Sequence, residues 1–218
     1  STSLNNTNTN VFRTAGLYDY GTSAGIGIIA QGESTGTGPH AVDNVYGTDA
    51  VLLSFSDTVT LTDFTIGWNG TDNGDAPTGY RDSDVSILAY TGSTAPTLSG
   101  ASLSNASASY LMSNGWSLIG HYADVGSGSN FQAVTTNVSS SWWLVSAYNS
   151  VYSGSSAPVS SNGGVLGNSN DSFKILAVAG TKTTPPPPPN QTPEPGALAL
   201  AGLGLVGMMA VRRRRNPA

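Results

Sequence analysis

The chain has 218 residues, no cysteine and a formal net charge of −5. That length suits one domain with tails, and the missing cysteine excludes thiol nucleophiles, thiolate zinc sites and Fe–S clusters while remaining compatible with export. Four of the eight basic residues are Arg212 to Arg215, so the body up to Thr184 sets four bases against twelve carboxylates; a body this acidic repels phosphate and argues against nucleic-acid binding.

Residues 1–10, STSLNNTNTN, are polar and aperiodic. They read as a frayed or weakly docked, flexible N-terminus. The chain opens at Ser1 without an n-region or h-region, which fits either removal of a signal peptide or a fragment. From residue 11 to 180 the pattern is that of one domain rich in strands. AGIGIIA (24–30) is a weak candidate because of its glycines, and AVLLSF (50–55) is a short apolar run. TVTLTDFTIGW (58–68) alternates, but Val59 and Leu61 share one parity while Phe64, Ile66 and Trp68 share the other. The slip at Thr62–Asp63 is where a β-bulge would restore one buried face. DVSILAY (84–90), WSLIGHY (116–122), FQAVTTNV (131–138), WWLVSAY (142–148) and FKILAVA (173–179) complete the strands. One short helix is expected in SASYLMSNG (107–115), capped by Ser109, packed through Tyr110, Leu111 and Met112, and ended by Asn114–Gly115. Many short strands, frequent turn clusters and one modest helix predict an all-β fold, a jelly-roll-like β-sandwich.

After residue 180 the composition changes. Residues 181–191 hold five consecutive prolines, Pro185 to Pro189, and predict a polyproline II linker that stands the domain away from whatever holds the C-terminus. Gly196 to Val211 is a sixteen-residue run without a charge, followed by Arg212, Arg213, Arg214 and Arg215. As a helix it would reach about 24 Å, just short of a hydrocarbon core of about 30 Å, a deficit that snorkelling arginines cover. A single C-terminal transmembrane helix is therefore expected, carried by Gly196, Leu198, Leu200, Leu203, Leu205, Val206, Met208, Met209 and Val211, with the arginines retained in the cytoplasm and the domain outside.

Residues 192–218 resemble the PEP-CTERM sorting signal of exosortase substrates in Gram-negative bacteria. Pro193-Glu194-Pro195, the apolar run and the arginine cluster stand in that family's order. The resemblance implies an exported precursor held in the inner membrane, processed near Pro193, Glu194 and Pro195 by the exosortase, a membrane-embedded cysteine protease. It implies delivery to the cell surface or extracellular matrix, commonly alongside exopolysaccharide and biofilm production. Segments 42–68, 82–92, 113–125, 140–149 and 171–180 also resemble a subgroup of exosortase-dependent surface proteins, which brings no transferable activity.

The residues of the domain give little sign of catalysis. His40 and His121 are followed three residues later by Asp43 and Asp124, but no G-x-S-x-G elbow is present. The expectation is no enzyme and no catalytic residue. Asp72, Asp75, Asp82 and Asp84 crowd one loop-to-strand segment and offer oxygens of the kind Ca²⁺ takes, although Asp and Asn also serve turns there. No cofactor is expected, with Ca²⁺ as the one alternative. Trp142 and Trp143 are adjacent and so face opposite sides of a strand; either is a candidate for stacking on a sugar ring. The resulting expectation is a structural, adhesive or polysaccharide-associated surface protein. The alternatives are a secreted glycan-active hydrolase and a calcium-stabilised surface-layer component.

Overall fold

A computed structural model describes residues 2–5, 12–29, 40–44, 47–70, 83–94, 96, 108–128, 131–152, 159–160, 166–167 and 171–183. They belong to a unit spanning Ser1–Thr183. The unit is all-β. Among the described residues its twelve strands are β1 (Thr2–Asn5), β2 (Phe12–Thr14), β3 (Gly16–Asp19), β4 (Ile26–Ile29), β5 (Val42–Asp43), β6 (Gly47–Asn69), β7 (Val85–Tyr90), β8 (Trp116–Ala123), β9 (Gln132–Ala133), β10 (Ser140–Ala147), β11 (Val159–Ser160) and β12 (Ser172–Lys182); a helix, α1, covers Ala108–Ser113. All twelve strands are hydrogen-bonded into one sheet, with the main order β11-β8-β7-β10-β6-β12-β4-β3. Among the described strand pairs all are antiparallel except β8 with β11; the isolated bridge Ile66–Ser127 is also parallel.

The sheet is organised by β6. The two runs read as separate strands, 50–55 and 58–68, are one strand of 23 residues. Ser56 and Asp57 between them carry no Gly or Pro to force a turn. The first part of β6 pairs with β10 through Val51, Leu52 and Leu53 and with β1; the second pairs with β12 from Val59 to Asn69. Thr2–Asn5 thus joins the sheet through backbone pairing in a stretch that has no apolar alternation of its own.

Parity breaks are absorbed as bulges. Ala179 pairs with Asp63 and the next residue, Gly180, with Leu61, so Thr62 is the extra residue on β6. Its carbonyl accepts the Val134 amide at 2.7 Å. This is the slip that the sequence places at Thr62–Asp63, and it lets Leu61 and Phe64 enter one core despite opposite parity. A second step, from Lys174–Trp68 to Ile175–Ile66, leaves out Gly67. It turns Trp68 away from the face that buries Ile66.

Two apolar clusters flank the sheet. The larger contains Val51, Ile87, Val145 and Trp143 from one part and Phe64, Ile66, Phe173 and Ile175 from the other. Side chains at both ends of β6 therefore share one core, and the Phe64 and Tyr122 rings meet edge to face at 5.3 Å. The smaller gathers Leu88, Leu111, Trp116, Leu118, Leu144 and Tyr152. In α1, Leu111 is buried and Met112 packs against this cluster, while Tyr110 is exposed. Ser109 lies inside the helix rather than at its cap. Asn114 donates its amide to the Leu111 carbonyl and Gly115 takes a φ of 88°, which ends the helix as expected. The run 131–138 is a strand only at Gln132–Ala133. Its remaining hydrogen bonds go to the bulge and to a local turn, where Thr136 Oγ1 accepts the Val138 amide at 3.0 Å.

Candidate functional site

Asp84 is fully buried at the head of β7. Its Oδ1 accepts the Asp124 amide at 2.9 Å and its Oδ2 the Gly167 amide at 2.7 Å. Its own amide donates to Asp171 Oδ1 at 2.7 Å. Asp171, also fully buried, is bound reciprocally to Asn44: the Asn44 side-chain amide donates to Asp171 Oδ2, and the Asp171 amide donates to Asn44 Oδ1 at 2.9 Å. Asp124, buried at φ 50°, completes the group. Buried carboxylates persist where donors meet them, and here the donors come from residues far apart in sequence. Asp72, Asp75 and Asp82 lie outside the described residues. Among the described residues there is no group of three or more His, Asp or Glu placed to hold a metal ion.

Beside this group His121, on β8, faces Ser86 on β7 in direct register. Ser86 Oγ lies 2.8 Å from Nδ1, and Nε2 lies 3.2 Å from the Tyr152 carbonyl. A carbonyl only accepts, so Nε2 carries the proton and Nδ1 accepts the Ser86 hydroxyl. The pair differs from a hydrolytic triad on two counts. The second ring nitrogen meets a carbonyl rather than a carboxylate, and Ser86 is fully buried. Burial holds His121 below the usual imidazole range, against the opposing pull of the Tyr152 carbonyl. The Tyr148 ring stands edge-on to His121 at 4.8 Å; burial first, then the Asp84 and Asp171 charges, push its hydroxyl up. The Tyr152 hydroxyl lies 3.4 Å from Ser146 Oγ, with burial raising its pKa strongly. Burial likewise pushes Tyr122 up to about 12. His40, the other histidine, is buried at φ 37° with its ring 5.5 Å from Tyr18.

The two adjacent tryptophans part to the two clusters. Trp143 is fully buried in the larger one, its indole N–H donating to the Ser140 carbonyl at 3.0 Å. It therefore offers no face to a ligand, which corrects its place among the stacking candidates. Trp142 is half-buried against the smaller cluster, edge-on to Tyr90 at 6.2 Å. Ser140 sets both: its hydroxyl accepts the Trp142 amide at 3.0 Å where the β6–β10 register shifts. This orienting serine carried no signal in the sequence, because its role exists only at the register shift.

The sorting residues Pro193, Glu194 and Pro195, the run 196–211 and Arg212 to Arg215 lie outside the described residues. Among the described residues no helix is long and apolar enough to cross a membrane. Fold and sequence together define a β-domain whose last strand, β12, is followed by a proline run and a C-terminal signal-like segment. The family model of the PEP-CTERM protein-sorting motif matches residues 191–215. The chain thus carries a PEP-CTERM sorting motif, and the motif points to exosortase-dependent sorting of an exported protein to the cell envelope. No curated protein and no solved structure matches the chain.

Proposed function

We propose that the chain is a non-enzymatic surface or extracellular-matrix protein, held in the inner membrane by residues 196–211 until an exosortase processes it near Pro193-Glu194-Pro195. The observation that carries this reading is the motif match over residues 191–215. The all-β domain, built on one sheet rather than the expected two-sheet jelly roll, then serves outside the cell in a structural or adhesive role, with exopolysaccharide as the associated partner. The partly exposed Trp142 is the stacking candidate that supports such contact. The buried state of Ser86 and the carbonyl on His121 Nε2 speak against the hydrolase alternative. Both Asp84 oxygens receive backbone amides, which speaks against Ca²⁺ at that carboxylate, and added Ca²⁺ is expected to leave the melting temperature unchanged.

The test replaces Pro193-Glu194-Pro195 with alanines in cells that express the exosortase. A longer, membrane-bound form is expected, while mass spectrometry of the wild-type product shows a trimmed C-terminus. Identical size and location for both proteins would end the sorting proposal.

A further inference from the structure

We infer that Tyr20 and Trp68 form a binding cage for an organic ammonium group, and that the group bound in the native domain is the chain's own Lys174. The Lys174 Nζ lies 3.9 Å from the centre of the Tyr20 ring and 4.1 Å from that of Trp68. An ammonium between two ring faces is attracted by both quadrupoles, and more strongly where water is excluded. Lys174 is 5 % exposed. Among the described residues the salt bridge is Lys182 with Asp57, and two ring faces meet the Lys174 charge. Tyr18 backs the cage, its ring 4.7 Å from Tyr20.

Three chain segments build the cage, and each is aimed by a local feature. Lys174 is paired with Trp68 across the β12–β6 ladder, so both side chains rise from the same face. Omission of Gly67 from the register turns Trp68 onto that face. The same glycine admits the turn that carries Tyr20, since a Cβ there would press into the Ala24 and Ser23 carbonyls at 2.6 and 2.7 Å. The turn itself is set by Asp19, whose Oδ1 accepts the Gly21 amide at 2.7 Å, and by the Tyr20 amide donating to the Gly25 carbonyl at 2.9 Å. Gly25, at φ 88°, lies where a Cβ would collide with the Ile175 carbonyl. The β3–β4 hairpin meets β12 through the single register pair Ile26–Ile175. The cage is therefore a second fastening for a hairpin that the ladder alone holds weakly, and its chemistry is that of an alkylammonium receptor.

The test uses the full chain in detergent solution. Lys174→Ala removes a fragment equivalent to propylammonium and lowers the melting temperature by about 5 °C. Added n-propylammonium restores part of that loss in the variant and leaves the wild type unchanged, whereas 1-propanol at the same concentration restores nothing. Equal effects of the two additives, or no effect of either, overturn the inference. If Lys174→Ala does not fold, Lys174→Met and Tyr20→Leu replace it, singly and together. Their melting shifts fall short of additive when the ring binds the charge, and additive shifts overturn the cage.

Discussion

At the head of β7 the protein buries the carboxylates of Asp84, Asp124 and Asp171, and at the β12–β4 end of the sheet it buries the ammonium of Lys174. The two places solve the same problem with different parts. Backbone amides and Asn44 meet Asp84 and Asp171 in fixed directions; ring faces meet Lys174 with no directional bond. The anionic region therefore acts as a joint, since the Asp84 and Asp171 carboxylates tie together segments tens of residues apart. The cationic region acts as a clamp, tolerant of small displacements but lost if the charge goes. The difference teaches where this domain is brittle: at the joint, one missing oxygen leaves donors stranded in the interior.

The largest effect tests the joint directly. Asp171→Ala strands the Asp84 amide and one N–H of the Asn44 side-chain amide, whose other acceptor is the Tyr148 carbonyl, and is expected to cost about 4 kcal/mol in urea unfolding, roughly 1–3 kcal/mol for each buried donor. A loss under 1 kcal/mol would mean that the amides find other acceptors and that the joint is not one. Asp84→Asn keeps one acceptor oxygen but gives a second donor to the Gly167 or Asp124 amide. A smaller loss, about 2 kcal/mol, is expected by the same measurement.

The third test reaches the joint through its neighbour. Burial depresses the pKa of His121 in the folded state, while unfolding returns it to about 6.5. Above that value both states are neutral and the full stability is present. As pH falls below it, the unfolded chain binds a proton that the folded chain resists, so stability declines towards the depressed folded pKa. Unfolding curves at a series of pH values from 7 to 5 should show this decline, flattened in His121→Gln; parallel curves for the two proteins would remove the histidine from the account. The smallest effect is a contrast outside both regions. Lys182 and Asp57 pair at 2.9 Å but stand exposed, and the bond holds the Asp57 carboxyl below its ordinary range. Lys182→Met should leave the melting temperature within error, because a solvated pair contributes little.

How much of this was legible beforehand depended on the range of the interactions. The bulge at Thr62 was readable because a parity slip in one strand is local information. The end of α1 was readable for the same reason, in Asn114 and Gly115. The joint was not: in sequence Asp84 stands with Asp72, Asp75 and Asp82, whereas the amides it accepts come from Asp124 and Gly167. Lys174 gave no sign of its cage because Tyr20 lies more than a hundred residues away. β1, β5 and β11 are two to four residues long and owe their existence to a neighbouring edge rather than to their own pattern. FQAVTTNV showed the reverse error, since alternation without a partner strand yields only Gln132–Ala133. The C-terminal motif was the most legible part of all, because a sorting signal is read in linear order and needs no fold to be seen.

The position of β12 has a consequence for timing. It fills the gap between β6 and β4 and also pairs with β5, so none of those edges is finished without it. Antiparallel contacts this distant in sequence form slowly, and here they wait until the polypeptide has been delivered as far as Lys182. The sorting match begins at residue 191. Maturation of the sheet and arrival of the signal therefore fall almost together, and until Lys182 is delivered the strands that β12 joins are left with open edges.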